Sequence, residues 1–559
     1  MLRYSPFTAL LVLAVPVLCG LAGTLLPAFG YLPALGGTSF SVRPFDTLFM
    51  QTGIWRSIAQ SFLVGLISTA LAVILVAGFV SAWYGTRLFK KVQYLVSPLL
   101  SVPHAAAAFG FAFMIAPSGF FARLFSPWLT GWERPLDLLI VNDQLGLALI
   151  AGLVVKEVPF LLLVTLAALP QISAIKFSHL TQSLGYGRMA GFLLSTWPSV
   201  YRQIRLPIFA VIAYASANVD MAIILGPATP HTLPVRLVGW MNDPDLKMRF
   251  MACAGACVQI LVTGFALLAW TMIERITGAV SRKLAARGNR YTRDWGVRVT
   301  ASVLMTTSAL IVFGGLLVLA LWSVSGLWQF PNTLPNNLSL KNWMRALPGL
   351  SGPLVTTIIV GGASVAISII ITLACLVREQ QTGRSGGNRA LWLLYLPLLV
   401  PQIGFLFGLQ LFLLSVNAIA SWTALIFAHV VFVLPYVFLS LSAPWRAFDK
   451  RYDSIGAALG ASSRRIFWHI RAPMLLRAIL SACAVGFAVS IGQYLPTLLI
   501  GAGRFPTITT EAVALGSGGN RRIIGIYAFM QMMLPFVGFL LASILPALIF
   551  RNRRGITGF

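Results

Sequence analysis

Twelve mainly apolar runs recur along the chain, each about 20 to 28 residues long. At about 1.5 Å per residue, such a run is long enough as a helix to cross a hydrocarbon core of about 30 Å. A bilayer offers no water to the backbone, so each run has to close its hydrogen bonds internally, as helix. The runs fall at 7–26, 57–83, 94–116, 145–168, 206–226, 250–273, 299–322, 354–377, 391–414, 422–442, 478–500 and 523–550. They predict an all-α polytopic membrane protein with six spans in each of two halves. Composition agrees: a 559-residue water-soluble globule with 58% hydrophobic and 10% charged residues would expose a large apolar surface. The first run is long for a cleaved signal peptide, and Leu18 before Cys19 does not suit a lipoprotein, so it is expected to remain as a membrane anchor.

A net charge of +27 could signal nucleic acid, so the placement of the cations matters more than their number. Counting alternate loops with the N-terminus inside puts 28 of the 41 Lys and Arg on one side and 12 on the other, with Lys156 alone within a span. Lys and Arg are retained on the cytoplasmic side of a bacterial inner (cytoplasmic) membrane, so both termini are expected in the cytoplasm. The basicity is then a topology signal, and no nucleic-acid partner is expected. Cys19, Cys253, Cys257, Cys375 and Cys483 all fall in runs and make an odd count, so no disulfide framework follows. Cys253 and Cys257 share a helix face and could ligate a soft metal, but small apolar packing residues is the simpler reading. No metal or cofactor is expected.

The basic segment from Glu274 to Arg298 follows the sixth run and reads as a cytoplasmic linker. It divides the chain into a first half (1–274), a linker (275–298) and a second half (299–559). A constant offset of 275 residues lays 177–226 on 452–501, pairing Leu184 with Leu459, Gly185 with Gly460, Pro198 with Pro473 and Gly226 with Gly501. Upstream, Val102-Pro103-His104 matches Val400-Pro401-Gln402, and Ser61 to Ala72 resembles Thr357 to Ser368. Each half starts on the same side and crosses six times. The halves are therefore parallel repeats related by an axis along the membrane normal, with a shared pathway between them.

The loop after the fourth run of each half has the same punctuation, with Gly185 and Gly460 each thirteen residues before Pro198 and Pro473. A short helix is expected to end at the Gly, which can take φ > 0. A second short helix should follow, with Ile466, Phe467 and Ile470 on one face, and Pro473 should start the next span. Such a compact helix-turn-helix on the cytoplasmic surface suits docking to a soluble partner.

Leu459-Gly460-Ala461-Ser462 and Phe467 to Pro473 resemble the EAA loop of binding-protein-dependent ABC importer permeases. The Glu of that pattern is replaced by Ser454, with Asp453 before it, and by His179 in the first half. Across both halves the chain looks most like the fused permeases of thiamine and iron(III) importers. The resemblance implies a type I ABC importer permease fold and an ATPase-coupling role for Leu184, Gly185, Leu459 and Gly460, in loops that include Pro198, Asp453 and Pro473. It also implies two copies of an ATP-binding-cassette ATPase and an external solute-binding protein as partners.

No G-x-x-x-x-G-K-[ST] phosphate loop occurs, so ATP hydrolysis is expected in a separate chain. No H-E-x-x-H, Cys-x-x-Cys or nucleophile elbow occurs either, and no enzyme activity is expected. Ionisable groups within spans cost about 2.5 to 3.5 kcal/mol at mid-bilayer and need partners or a wet cavity. Asp220 is the clearest, with Asn218 beside it; the repeat sets Gln493 against Asn218 and Leu495 against Asp220. His104 and Gln402 follow the matched prolines. Asn218, Asp220, Gln493, His104 and Gln402 are candidates for the substrate pathway, the alternative being a buried structural carboxylate and proline-kink packing. Lys156 and Glu157, before Pro159, project about 100° apart and read as structural. The rival reading is an ion-gradient-driven secondary transporter, whose signature basic loop would fall between the second and third runs. Only Tyr84 to Lys91 stand there.

Overall fold

The computed structural model describes residues 4–383 and 387–550, apart from the side chains of 97, 175, 178 and 388–390. Of the cations counted above, Arg3, Arg384, Arg551, Arg553 and Arg554 lie outside the described residues, as does the Arg389 side chain. The only β-pairing among the described residues is two isolated bridges, Leu32 with Gly37 and Ser325 with Leu338. All else that is regular is helix.

In the first half the main helices are α1 (Ser5–Ala28), α2 (Ile54–Trp83), α3 (His104–Ile115), α4 (Leu147–Ala168), α5 (Trp197–Ser216) and α6 (Met248–Ala286). The second half has α7 (Trp295–Val324), α8 (Lys341–Thr382), α9 (Gln402–Ser415), α10 (Trp422–Ala447), α11 (Leu476–Ile491) and α12 (Arg521–Ile549). Among the described residues, nine helices are long and apolar enough to cross a membrane, or eleven when two sharply bent pairs each count as one span.

The apolar runs at the third and fifth positions of both halves are therefore not single continuous helices. At the third position, helix Arg87–Val96 passes into a 3-10 turn, Ser97–Ser101, before α3 starts after Pro103. In the second half Leu391–Leu399 meets α9 at 85° after Pro401. Each proline lacks the N–H that would continue the ladder and holds the preceding residue extended. At the fifth position the apolar run 206–226 is cut at Ser216 and resumes as Asp220–Leu225, while α5 begins earlier, at Trp197, with Arg202 and Arg205 in its first turns. Its second-half counterpart stops at Ile491 and resumes as Leu495–Gly501. Asn218 and Gln493 both stand in these breaks.

The 275-residue register holds at the level of backbone conformation. Arg188–Gly191 corresponds to Ser463–Ile466, the π-helical Phe192–Thr196 to Phe467–Arg471, the helix ends Ser216 to Ile491, and Leu233–Met241 to Ile508–Gly516. One tertiary bond is repeated as well: the Leu233 N–H donates to Ser61 Oγ at 3.1 Å, and the Ile508 N–H to Thr357 Oγ1 at 3.0 Å.

The prolines ending the two loops do not start new helices as expected. Pro198 sits inside helix continuous from Arg188, and Pro473 inside helix continuous from Ser463. The π-helical turn directly before each proline shifts the bonding register, so the missing proline N–H interrupts nothing. In the second half the bend falls after Met474 instead, at 73°.

The halves exchange their first helices. α1 packs on α9 of the second half, and α7 packs on α3 of the first. Small residues permit both approaches: Gly20 and Gly23 face Phe405 and Gly408, and the Gly408 N–H donates to Thr24 Oγ1 at 2.9 Å. On the other side, a Cβ on Gly110 would come within 2.9 Å of the Gly315 backbone. Apolar helices in lipid gain nothing from burying apolar surface against one another, so such backbone contact is what selects partners. Away from the two loops, the buried Arg123 joins the halves by donating to the Gln329 and Asn332 carbonyls at 2.8 and 3.2 Å.

Candidate functional site: two matched loops and a polar cluster between the halves

The short helices Ala174–Ser183 and Arg451–Ala458 end at Leu184 and Leu459, and the chain turns at Gly185 (φ +81°) and Gly460 (φ +80°), as the spacing predicts. A side chain at either Gly would be strained in that conformation. The same turn exposes an apolar face on each helix. Phe177, Leu180 and Leu184 are exposed in the first loop, and Tyr452, Ile455 and Leu459 are exposed at the equivalent positions in the second. Leu184 is 54% exposed and Leu459 82%. The i, i+3, i+7 spacing puts each triad on one side of its helix. Phe177, Leu180, Tyr452 and Ile455 were not singled out from the sequence, although their periodicity and the offset were both there to read.

The two loops are braced differently. In the second, Arg471 is buried, pairs with Asp453 and bonds Gln380 Oε1, and lies 5.1 Å over the Trp445 ring. The Asp453 carboxylate is thus turned into the loop's own packing. Ser462 caps the following helix by accepting from the Arg465 N–H at 3.4 Å. The position equivalent to Ser462 is Gly187, which has no side chain to offer. There the linker supplies the cap: Asp294 Oδ2 accepts from the Met189 N–H at 2.9 Å, and the Gly187 N–H donates to the Arg290 carbonyl at 2.7 Å. A Cβ on Gly187 would collide with the Tyr291 carbonyl oxygen. α6 runs on to Ala286 and α7 begins at Trp295, so much of the 275–298 segment is helical and the remainder lies against the first loop. Burial, then the nearby Arg298 charge, lowers the pKa of Arg188, while Asp294 opposes that shift.

Between the halves, the structure joins His104, Tyr214, Asn218 and Asp220. The His104 and Tyr214 rings are 4.7 Å apart, the Tyr214 hydroxyl donates to Asp220 Oδ1 at 3.4 Å, and Asn218 Nδ2 donates to the same oxygen at 2.9 Å. Asn218 Oδ1 accepts the Ala222 N–H at 3.1 Å, which ties the break in the fifth span to the polar side chains. Gln402 and Gln493 hold the equivalent second-half positions, half-buried, and share no hydrogen bond with this group. Tyr214 was missed because its repeat partner is Val489 and nothing in its own stretch marks it. Lys156 and Glu157 are not paired: Lys156 Nζ donates to the Leu99 and Leu100 carbonyls at 3.3 and 3.4 Å, at the broken third span. The Glu157 carboxylate is buried with no hydrogen-bond partner. Among the described residues no cluster of three or more His, Cys, Asp or Glu could hold a metal ion, and Cys253 and Cys257 are free.

No family model matches the chain. It is 31% identical over 508 residues, 89% of its own length and 90% of the relative's, to the inner membrane ABC transporter permease protein YnjC of Escherichia coli (strain K12). It is 27% identical over 190 residues to the putrescine transport system permease protein PotI of the same strain, which covers 32% of this chain and 66% of PotI. It is 23% identical over 232 residues to the putative 2-aminoethylphosphonate transport system permease protein PhnV of Salmonella typhimurium, covering 40% of this chain and 87% of that one. These last two matches cover about a third and two fifths of the present chain.

Proposed function

This chain belongs to the ABC transporter permeases, and we propose that it is a fused double permease, one polypeptide forming the whole translocation pathway of an importer. It is a multi-pass inner-membrane transport subunit that works with ATPase and solute-binding partners and is not itself an enzyme. Family membership sets the ion-gradient-driven reading aside.

The observation that carries the proposal is the pair of exposed apolar triads at one offset, on loops whose helices, positive-φ glycines and π turns coincide. Exposed apolar side chains on a rigid projection are costly unless a partner covers them. In our reading each triad enters a groove of one ATPase copy, giving two copies per chain. The halves are 1–274 and 299–559, and the loops, the 275–298 linker and both termini face the cytoplasm. Leu184, Gly185, Pro198, Leu459, Gly460 and Pro473 shape the docking projections, and Asp453 holds the second in shape.

The solute passes between the halves, against Asn218 and Asp220 with His104 behind them, and past Gln402 and Gln493 of the second half. The resemblance suggests thiamine or iron(III), and the names of two relatives carry putrescine and 2-aminoethylphosphonate. All but the metal ion present a cationic nitrogen, which suits a carboxylate flanked by aromatic rings. We therefore favour a small organic cation.

The test is the stoichiometry of the full chain, co-purified with its ATPase in lipid. Two ATPase copies are expected for the wild type and one each for Leu184→Asp and Leu459→Asp. A wild type that retains no ATPase, or variants that retain both copies, would refute the docking assignment.

A further inference from the structure

The face that carries the two loops has five acidic residues, Glu274, Asp294, Glu379, Asp449 and Asp453, and each is held in an internal ion pair. Glu274 bonds Arg205 at 2.7 Å and also accepts from Tyr201 at 2.5 Å. Glu379 takes a two-pronged bond from Arg446 at 2.9 and 3.0 Å. Asp294 is 3.9 Å from Arg298 while its other oxygen caps the first loop. Asp453 is paired with the buried Arg471, and Asp449 with Arg451 at 2.6 Å. The Arg451 hydrogen bonds hold the Asp449 carboxyl below the ordinary range. Four of the five carboxylates are largely covered in these pairs, and Asp449, the one open to solvent, is neutralised by Arg451 beside it.

What flanks the apolar triads is cationic. Lys176 adjoins the first triad, and the linker brings the Arg290 guanidinium to the turn itself, 4.9 Å from the Tyr186 ring centroid and 3.9 Å from where a Gly185 Cβ would lie. Lys450, Arg464 and Arg465 bracket the second triad. All five are exposed, and none makes an ion pair among the described residues. The EAA pattern of the resembled loops carries a carboxylate here; this chain carries none that is free and surrounds the same apolar face with positive charge.

We propose that the surface receiving these loops is an apolar groove rimmed by carboxylates, so that the cognate ATPase is acidic where the permease is basic, and that the linker contributes to this contact through Arg290 at the first loop only. This rests on the docking assignment above. Complementary rim charges act chiefly on encounter rate and on the rejection of wrong partners, and they are screened by salt. The two docking points are then unequal: the first depends on a linker residue, whereas the second is built within its own half. Lipid headgroups would also attract such cations, but these residues flank an apolar triad on a projecting turn, and an acidic groove answers both features together.

The experiment compares Arg464→Glu/Arg465→Glu, Arg290→Glu and Leu459→Asp in the full chain, with ATPase binding followed by surface-immobilised kinetics at low and high salt. The charge variants should bind about tenfold more weakly at low salt, mainly through a slower association rate, and should lose most of the wild-type salt dependence. Thermal unfolding in detergent should not move for Arg464→Glu/Arg465→Glu, whose side chains are exposed, and should fall only slightly for Arg290→Glu, which gives up its contact with the Tyr186 ring. Wild-type binding that is insensitive to salt and to these reversals would overturn the acidic rim while leaving docking intact. Unchanged ATPase binding together with weaker co-sedimentation of the solubilised chain with phosphatidylglycerol vesicles would overturn it in favour of lipid. If the wild type and Leu459→Asp bind equally, the docking assignment itself fails.

Discussion

Asp294 accepts the Met189 backbone N–H at 2.9 Å, so a residue of the linker caps a helix of the first loop. The second half needs no such help, since Ser462 stands where the first half has Gly187. The linker is thus part of one loop rather than a tether passing beside it. Asp294→Ala should remove a side-chain cap worth about 1 kcal/mol and free residues 188–196 to exchange their amide hydrogens faster, with 463–471 unchanged. Hydrogen exchange read by mass spectrometry checks this asymmetry.

Gly187→Ala places a methyl group against the Tyr291 carbonyl oxygen, a backbone atom that cannot rotate away. The linker at 287–294 should lift off the loop and become the first site of limited proteolysis. Gly288→Ala is open around the side-chain position but strained by its φ of +68°, and it should leave proteolysis of the loop contact largely unchanged. A cleavage pattern identical in wild type and Gly187→Ala would contradict the bracing role.

Arg471→Ala strands Asp453 and Gln380 in a partly buried site and removes a guanidinium stacked on Trp445. Breaking one partner of a buried pair costs roughly 3 kcal/mol, so the melting temperature of the purified chain should fall by several degrees. The double variant Arg471→Met/Asp453→Leu should recover most of the loss. Equal melting temperatures for Arg471→Ala and wild type would show that the pair contributes nothing.

Gly408→Leu inserts a side chain where the backbones of α1 and α9 touch. The exchange of first helices should be prised open, with a loss of about 3 kcal/mol or more and poor recovery from membranes. Gly264→Leu, with open space at its side-chain position, is the matched control and should express normally.

Asp220→Asn keeps the shape of the cluster with Tyr214 and Asn218 but removes its charge. For an organic cation as solute, uptake into cells or proteoliposomes should fall at least about tenfold, the scale of one charge-assisted hydrogen bond, while ATPase retention stays at the wild-type level. Undiminished uptake would assign Asp220 to structure alone.

Hydropathy placed α1, α2, α4, α7, α10 and α12 within a few residues at both ends, and the 275-residue register located both loops; α3, α5, α6, α8, α9 and α11 begin or end nine or more residues away from the apolar runs that marked them. The register reached further than identity suggested, because glycine conformations and π turns repeat even where side chains do not. Sequence reasoning missed the breaks near Ser216 and Ile491, since an apolar run reads the same whether or not its backbone ladder is continuous. It also left Asp453 and Asp294 without assigned bonds; their partners Arg471 and Met189 lie 18 and 105 residues away.

The sequence by itself determined which segments leave water, that there are two equivalent sets of them, and where the chain turns on the loop face, because these depend on local composition and on glycine and proline geometry. Only the tertiary structure decided that α1 belongs against α9 and α7 against α3, that the linker completes the first loop, and that Tyr214 joins His104 to Asp220. In lipid every face of a helix is apolar, so periodicity does not choose a neighbour; backbone contact at Gly20, Gly408, Gly110 and Gly315 does, and that exists only once the helices have met.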